Sequence, residues 1–291
     1  MKAKRKPSAL LISLFVVMAI IALFYIVMLV WAGVQSLKDP WDFDDSALAL
    51  PPVLSFINYA TAFRAYSVTI DTAAGYETIG TTRIIINTIL YAGGCAFLGT
   101  LIPCLTSYIV AKFKFRVLKL YYITVVVCLS IPIIGGAASQ LQIAKSLGMY
   151  DTIWGIWLMR GYFIGTYFLI FYSSFKMIPD SFSEAAKIDG AGNFTILFKL
   201  ILPLISKTFT TIMLILFVNY WNEYQTPLMF TPSVPTLAVG LYKFSFSSSD
   251  EFGTPPIQLA GSMILFIPIF IIFIALQDKL MGNISMGGVK E

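Results

Sequence analysis

The chain has 291 residues, 58% of them hydrophobic and 12% charged, with no histidine and a formal charge of +5. Soluble domains carry about 25% charged residues, so an apolar surface of this extent calls for lipid rather than water. Lacking histidine, the chain has no use of the commonest general base, proton shuttle and metal ligand. Cys95, Cys104 and Cys128 all lie in apolar runs and read as small packed thiols rather than as a disulfide framework or metal cluster. The basic residues sit in short clusters between apolar runs, so the positive charge reads as membrane orientation and not as affinity for nucleic acid.

In chain order, residues 1–8 are a charged start holding Lys2, Lys4, Arg5 and Lys6. Residues 9–33 form an apolar run well beyond the ~7–15 residues of a signal-peptide core, so an uncleaved membrane helix is expected. Residues 34–83 are a long polar segment with Trp41, Pro51, Pro52 and an acidic run from Asp39 to Asp45. It reads as a solvated loop or as a docking surface or plug. Residues 84–280 hold five more stretches near the ~20 residues a membrane helix needs: 84–110, 120–140, 152–175, 205–230 and 257–280. Counting 9–33 as the first span, the third (120–140) carries Pro132, Gly135 and Gly136, and the fifth (205–230) carries Asn219, Asn222 and Glu223. Polar or kinked backbone at membrane depth belongs beside protein or a cavity, which makes these two the pathway candidates. The outer segment 231–256 is rich in proline and serine. Residues 281–291 form a tail. The expected fold is an all-α integral membrane protein with six transmembrane helices.

Topology follows from lysine and arginine. With a cytoplasmic N-terminus, the inner segments hold Lys2, Lys4, Arg5 and Lys6, then Lys112, Lys114, Arg116 and Lys119, then Lys176, Lys187, Lys199 and Lys207, and finally Lys279 and Lys290. The outer segments hold only Lys38, Arg64, Arg83, Lys145 and Lys243. Both termini are therefore expected in the cytoplasm.

The inner loop 176–207 is the most informative segment. Pro179 ends the preceding helix, and Asp180, Ser181 or Ser183 is suited to cap a new one. Residues 183–188 then read as a short helix with Ala185 and Ala186 on one side. Asp189-Gly190-Ala191-Gly192-Asn193 reads as a turn. Phe194 to Leu202 is apolar with Lys199 turned away, and Pro203 kinks the start of the next span. Such a helix and turn suits another protein's groove. A helix lying on the lipid surface is the other physical reading.

These residues resemble a known family. Glu184-Ala185-Ala186, Gly190 and Leu200-x-Leu202-Pro203 are similar to the EAA-loop signature of ABC importer permeases, with leucine at 200 where isoleucine is usual. Trp221-Asn222-Glu223-Tyr224, Thr236-Leu237-Ala238-Val239-Gly240 and the ending Met286-Gly287-Gly288-Val289-Lys290 resemble further elements of carbohydrate-importer permeases of the maltose type. The likeness runs from about residue 84 to the end. It implies an ABC type I importer permease fold, with Glu184, Ala185, Ala186, Asp189, Gly190 and Pro203 forming the contact to a cytoplasmic ATPase. Gly287, Gly288 and Lys290 would be a tail contact to the same ATPase. It also implies a second related permease, two ATPase subunits that bind ATP and Mg, an extracytoplasmic solute-binding protein, a sugar or oligosaccharide as solute, and the inner membrane of a prokaryote. No phosphate-binding loop motif is present in this chain, so no nucleotide, metal or other cofactor and no catalytic residue is assigned to it.

Two charges fall within spans, Arg160 in the fourth and Glu223 in the fifth. Charges at that depth usually pair or point inward. They read as a sugar contact or gate pair, or as a packing pair or a snorkelling pair of side chains. Asn219, Trp221, Asn222 and Tyr224 suit a sugar path, while tryptophan and tyrosine suit interfacial belts equally. A secondary transporter, or another polytopic protein without an ATPase partner, is the alternative. The lack of a clear repeat or a midplane acid argues against it.

Overall fold

A computed structural model describes residues 8–72, 75–131, 135–246 and 253–281. The chain is mainly helical and divides into two compact units: residues 1–66 with 243–266, and residues 67–242 with 267–291.

The first unit opens with α1 (Ala9–Gln35). Ser8 caps it, its hydroxyl oxygen accepting from the Leu11 amide at 3.3 Å. The helix is apolar all round and its side chains from Leu10 to Met28 are exposed, as expected of a helix solvated by lipid. The polar segment that follows is folded. It contains α2 (Pro40–Asp45), capped by Asp39 with proline in its first turn, and α3 (Ile57–Ala65). Lys38, an outer charge in the sequence reading, is 1% exposed. Its ammonium donates to the carbonyls of Ser46 (2.5 Å) and Ala49 (3.1 Å). The Asn58 amide donates to the carbonyls of Ser36 (2.9 Å) and Lys38 (2.7 Å). These bonds satisfy buried polar groups that would otherwise be costly, so this part of 34–83 is an ordered cap and not a loose loop. Tyr66 closes the unit by donating its hydroxyl proton to the Gly261 carbonyl at 2.6 Å.

The second unit begins with an antiparallel hairpin, β1 (Val68–Thr72) and β2 (Gly75–Ile79), with Val68 opposite Ile79. Next comes α4 (Thr81–Lys112), which runs through Pro103 and presents a buried face of Ile84, Thr88, Tyr91, Cys95, Gly99 and Cys104. Cys95 and Cys104 are free and buried, and Cys128 is free and partly buried. Small residues on α4 let other backbones approach closely, the usual device of membrane helix packing.

The third expected span is two helices, α5 (Arg116–Ser130) and α6 (Ala137–Ser146), the break holding Gly135 at φ +81°. Pro132 lies outside the described residues. The fourth is likewise broken into α7 (Ile153–Met159) and α8 (Thr166–Lys176), with Arg160 to Gly165 between. Gly161 sits tight against Ile102, where an added Cβ would come within 2.3 Å. Trp157 of α7 lies over Gly94 of α4 and donates its indole N–H to the Leu90 carbonyl at 3.0 Å.

After α8 come α9 (Asp180–Ile188), α10 (Asn193–Thr195), a π-helical turn over Ile196–Ile201, and α11 (Leu202–Leu204). The chain then bends 74° into α12 (Ser206–Asn222). Pro203 has no N–H to give the carbonyl four residues back, and the widened turn stands just before it. The fifth span is interrupted again at Glu223, whose backbone is extended (φ −80°, ψ 123°), before α13 (Gln225–Phe230). Pro227 supplies the reason, since it cannot donate to the Glu223 carbonyl. The last helices are α14 (Leu237–Ser245) and α15 (Pro255–Met281), the latter running through Pro268.

Among the described residues, then, three helices are long and apolar enough to cross a membrane: α1, α4 and Pro255–Gln277 of α15. The bent pair Asn193–Leu204 and Ser206–Asn222 would make a fourth if taken as one span. The chain is a mainly helical membrane protein in which three or four of the six expected spans meet this test among the described residues, and the third and fourth expected stretches are each divided between shorter helices. Broken membrane helices occur where protein or a cavity satisfies the freed backbone.

Candidate functional site

The loop that resembles the EAA signature is an exposed projection. Helix α9 starts directly after Pro179, and no side chain caps it. Asp180 stands in the first turn, where its charge suits the helix dipole. Its carboxylate accepts from the Lys112 ammonium at 2.9 Å, and the same ammonium donates to the Ile178 carbonyl at 2.6 Å. Lys112 is nearly buried, with its side chain 7% exposed. One lysine from the end of α4 thus joins the end of α8 to the start of α9. That hydrogen bond and charge hold the Asp180 carboxyl below the usual carboxylate range.

Glu184, Ala185, Lys187, Ile188, Asp189 and Gly190 are exposed, and Ala186 is partly so. No residue of α9 is buried. Gly190 takes φ +82°, a backbone that L side chains rarely adopt. The Ala191 N–H reaches back to the Ala186 carbonyl at 2.9 Å and fixes the turn. Ile188 is 87% exposed and Phe194 81%. Two large apolar side chains therefore flank a tight turn with nothing among the described residues over them. Pro203 lies beyond the widened turn, at the foot of the projection. Of the residues singled out by sequence, Gly287, Gly288 and Lys290 lie outside the described residues.

The two intramembrane charges meet. Arg160 caps the end of α7, Glu223 caps the end of α12, and the guanidinium donates to a Glu223 oxygen at 2.5 Å. Thr226 bonds both Arg160 and the same carboxylate oxygen. The Tyr91 hydroxyl donates to the other oxygen at 2.9 Å, and Arg160 donates to the Tyr162 hydroxyl at 2.9 Å. The guanidinium also lies 5.3 Å from the Tyr220 ring centroid, a favourable cation–π distance. Arg160 Nε is buried without a hydrogen-bond partner among the described residues. The cluster borders a cavity of about 350 Å³ that Gln140, Tyr162, Gln225 and Met229 also line. The helix breaks on both sides make this possible, because each charge sits where a helix stops.

The other four residues of the proposed path do not join this cavity. Asn222 is exposed and donates to the Val218 carbonyl at 2.9 Å. Asn219 borders a separate apolar hollow with Leu214, Val218 and Phe273. Trp221 is 3% exposed and packs on Phe217, while Tyr224 stacks on Tyr242 with centroids 4.5 Å apart. Conversely Tyr91, Tyr162, Tyr220 and Thr226 belong to the cluster, and sequence reasoning missed them. Only Thr226, three residues after Glu223, left a local signal.

Residues 104–284 match the family model described as the binding-protein-dependent transport system inner membrane component. The chain is 28% identical over 296 residues to the melibiose/raffinose/stachyose import permease protein MelC of Bacillus subtilis, covering 100% of each. It is 23% identical over 267 residues to the diacetylchitobiose uptake system permease protein NgcG of Streptomyces coelicolor, covering 90% of this chain and 83% of that one. Its fold is similar, with a TM-score of 0.74 and 19% identity, to a chain in the crystal structure of a bacterial ABC transporter involved in the import of the acidic polysaccharide alginate, covering 94% and 99% of the two chains. The exposed helix and turn, the broken spans and these matches together place the chain in the family of binding-protein-dependent transport system inner membrane components, as a multi-pass permease subunit of an ABC importer.

Proposed function

We propose that this permease carries a sugar or oligosaccharide across the inner membrane of a prokaryote, with both termini in the cytoplasm. It forms half of the path beside a second related permease. Two ATPase subunits bind ATP and Mg, and an extracytoplasmic binding protein delivers the solute. Glu184, Ala185, Ala186, Asp189 and Gly190 seat in the ATPase, Pro203 sets the angle of that projection, and Gly287, Gly288 and Lys290 add a tail contact.

The observation that carries this reading is the tip of α9, where Ile188 and Phe194 stand exposed beside a turn fixed by Gly190. Apolar side chains exposed in this way mark an interaction surface. ATP drives transport because it favours one arrangement of the complex over the other, and the projection transmits that preference. Sugar as the solute is supported by the import and uptake names of MelC and NgcG. A sugar path also suits the Arg160–Glu223 cavity, whose tyrosine, glutamine and threonine groups match hydroxyl chemistry.

The test is a crosslink from a cysteine at Ala185. In the intact complex it is expected to capture a nucleotide-hydrolysing subunit, and the purified chain alone is expected to hydrolyse no ATP. Crosslinks that reach only phospholipid would refute the assignment of the projection, and ATP turnover by the pure chain would refute the division of labour.

A further inference from the structure

A second cavity of about 350 Å³ lies where the end of α4, the start of α5 and the end of α8 meet. Lys114, Arg116, Lys119 and Lys176 stand around it, and no acidic side chain lines it. All four cations are exposed, and none makes an ion pair among the described residues. The nearby Asp180 carboxylate senses Lys114 and Lys176, but its hydrogen bond goes to Lys112. The wall is aromatic. Tyr122 and Tyr172 lie with ring centroids 4.6 Å apart, and the Lys176 ammonium sits 5.6 Å from the Tyr172 ring. Behind them, Val110, Val125 and Phe168 form a buried apolar cluster that fixes the rings in place.

Helix α5 is built against its own dipole. Its first turn has no acid, its N-cap Phe115 offers no side-chain acceptor, and Arg116 and Lys119 stand instead at the positive end. Free N–H groups at a helix start together with cations call for an outside anion. Beside these lining residues α5 also carries an apolar stripe that begins next to Arg116 in the sequence: Val117, Leu120, Ile123 and Val127 are 72%, 64%, 47% and 51% exposed. Their spacing of three or four residues places them on one helical face.

We propose that this cavity is a binding site for an anionic phospholipid of the phosphatidylglycerol type. Its phosphate meets the start of α5 and the four cations, its headgroup hydroxyls meet the tyrosines, and its acyl chain lies on the stripe. An acidic protein surface would need the cations but not an apolar track running away from them along a membrane helix. The chemistry is that of the basic clefts between membrane helices that hold lipid headgroups.

The test uses the full-length chain, extracted with the subunits that accompany it and placed in vesicles of phosphatidylcholine containing a minor share of phosphatidylglycerol. Lipid retained after detergent extraction is read by native mass spectrometry. Wild type is expected to retain phosphatidylglycerol over phosphatidylcholine. Each cation contributes about a fivefold preference, so Lys114→Gln with Lys119→Gln is expected to lose about twenty-fivefold. Lys114→Arg with Lys119→Arg keeps the charge and is expected to retain the lipid, which separates charge from misfolding. Equal retention of the two lipids by wild type would overturn the proposal. So would release of phosphatidylglycerol by millimolar inorganic phosphate, which would indicate a site for the free anion. Unchanged lipid retention with loss of the ATPase subunits in the glutamine variant would make the patch a protein contact and overturn it too.

Discussion

Removing one member of the Arg160–Glu223 pair is expected to be far worse than removing both. The Arg160 side chain is 18% exposed and that of Glu223 is 25% exposed. Deleting one partner of a buried ion pair costs about 3–5 kcal/mol, because the other charge stays desolvated and unpaired. The partial exposure of both groups lowers the expected cost of Glu223→Leu or Arg160→Met to about 2–3 kcal/mol each. Glu223→Leu also strands the Tyr91 and Thr226 hydroxyls that bond the carboxylate. In the double variant no charge remains, and apolar side chains of similar volume cost about 1 kcal/mol or less. The cycle therefore predicts a coupling energy of about 3–5 kcal/mol. Thermal unfolding of the purified complex, followed for wild type, both single variants and the double variant, measures it. If the two single losses add to the double loss within about 0.5 kcal/mol, the pair is not a coupled unit and this reasoning fails. Recovery of stability in the double variant without recovery of uptake would assign the charges to transport as well.

Gly94→Ala is expected to destabilise the second unit by about 1–3 kcal/mol. Its Cβ would stand 2.1 Å from the Trp157 ring, and thermal unfolding with a shift in tryptophan emission would report the displaced indole. At Gly190 an added Cβ meets nothing within 4 Å, so only the backbone angle matters. Gly190→Asn is expected to be mild and Gly190→Ala to cost about 1 kcal/mol, with Gly190→Val worse, read by unfolding and by the yield of the Ala185 crosslink. The Asp180 carboxyl is held low by Lys112, so the pair stabilises the fold above the ordinary carboxylate pKa of about 4 and loses that effect as pH falls through the lowered value. Asp180→Asn is therefore expected to be less stable than wild type at neutral pH and equal to it in strong acid, as pH-dependent unfolding would show.

How legible these features were depended on whether their cause was local. Helices α1, α4 and α15 follow from unbroken apolar runs. The projection at α9 follows from Pro179, the glycine turn and Pro203, all within one short stretch. Irregularity in the third and fifth stretches was signalled by Pro132, Gly135 and Gly136 and by Asn219, Asn222 and Glu223, but the break in the fourth did not emerge, because hydropathy averages over a window and passes across Gly161 without registering a stop. The cap on Lys38 was illegible for another reason, since its acceptors are backbone carbonyls and carry no sequence identity. The partners of Glu223 were hidden by distance along the chain. Arg160 is 63 positions away and Tyr91 is 132, and nothing in a single sequence ties such positions together. The local partners of Asn222 and Asn219 were also illegible, since the first bonds its own helix one turn back and the second borders an apolar hollow shared with Phe273.

The widened turn at Ile196–Ile201 carries one surplus residue relative to a regular helical ladder. Excising a single residue there would restore ordinary winding and leave the flanking segments nearly in register, because the wide turn spreads its surplus over one under-wound turn. Ile188 and Phe194 would keep their direction. A deletion from the regular winding of α9 would instead rotate what precedes it by about 100°, so the widened turn is the one place in the projection where the residue count can change without turning the tip.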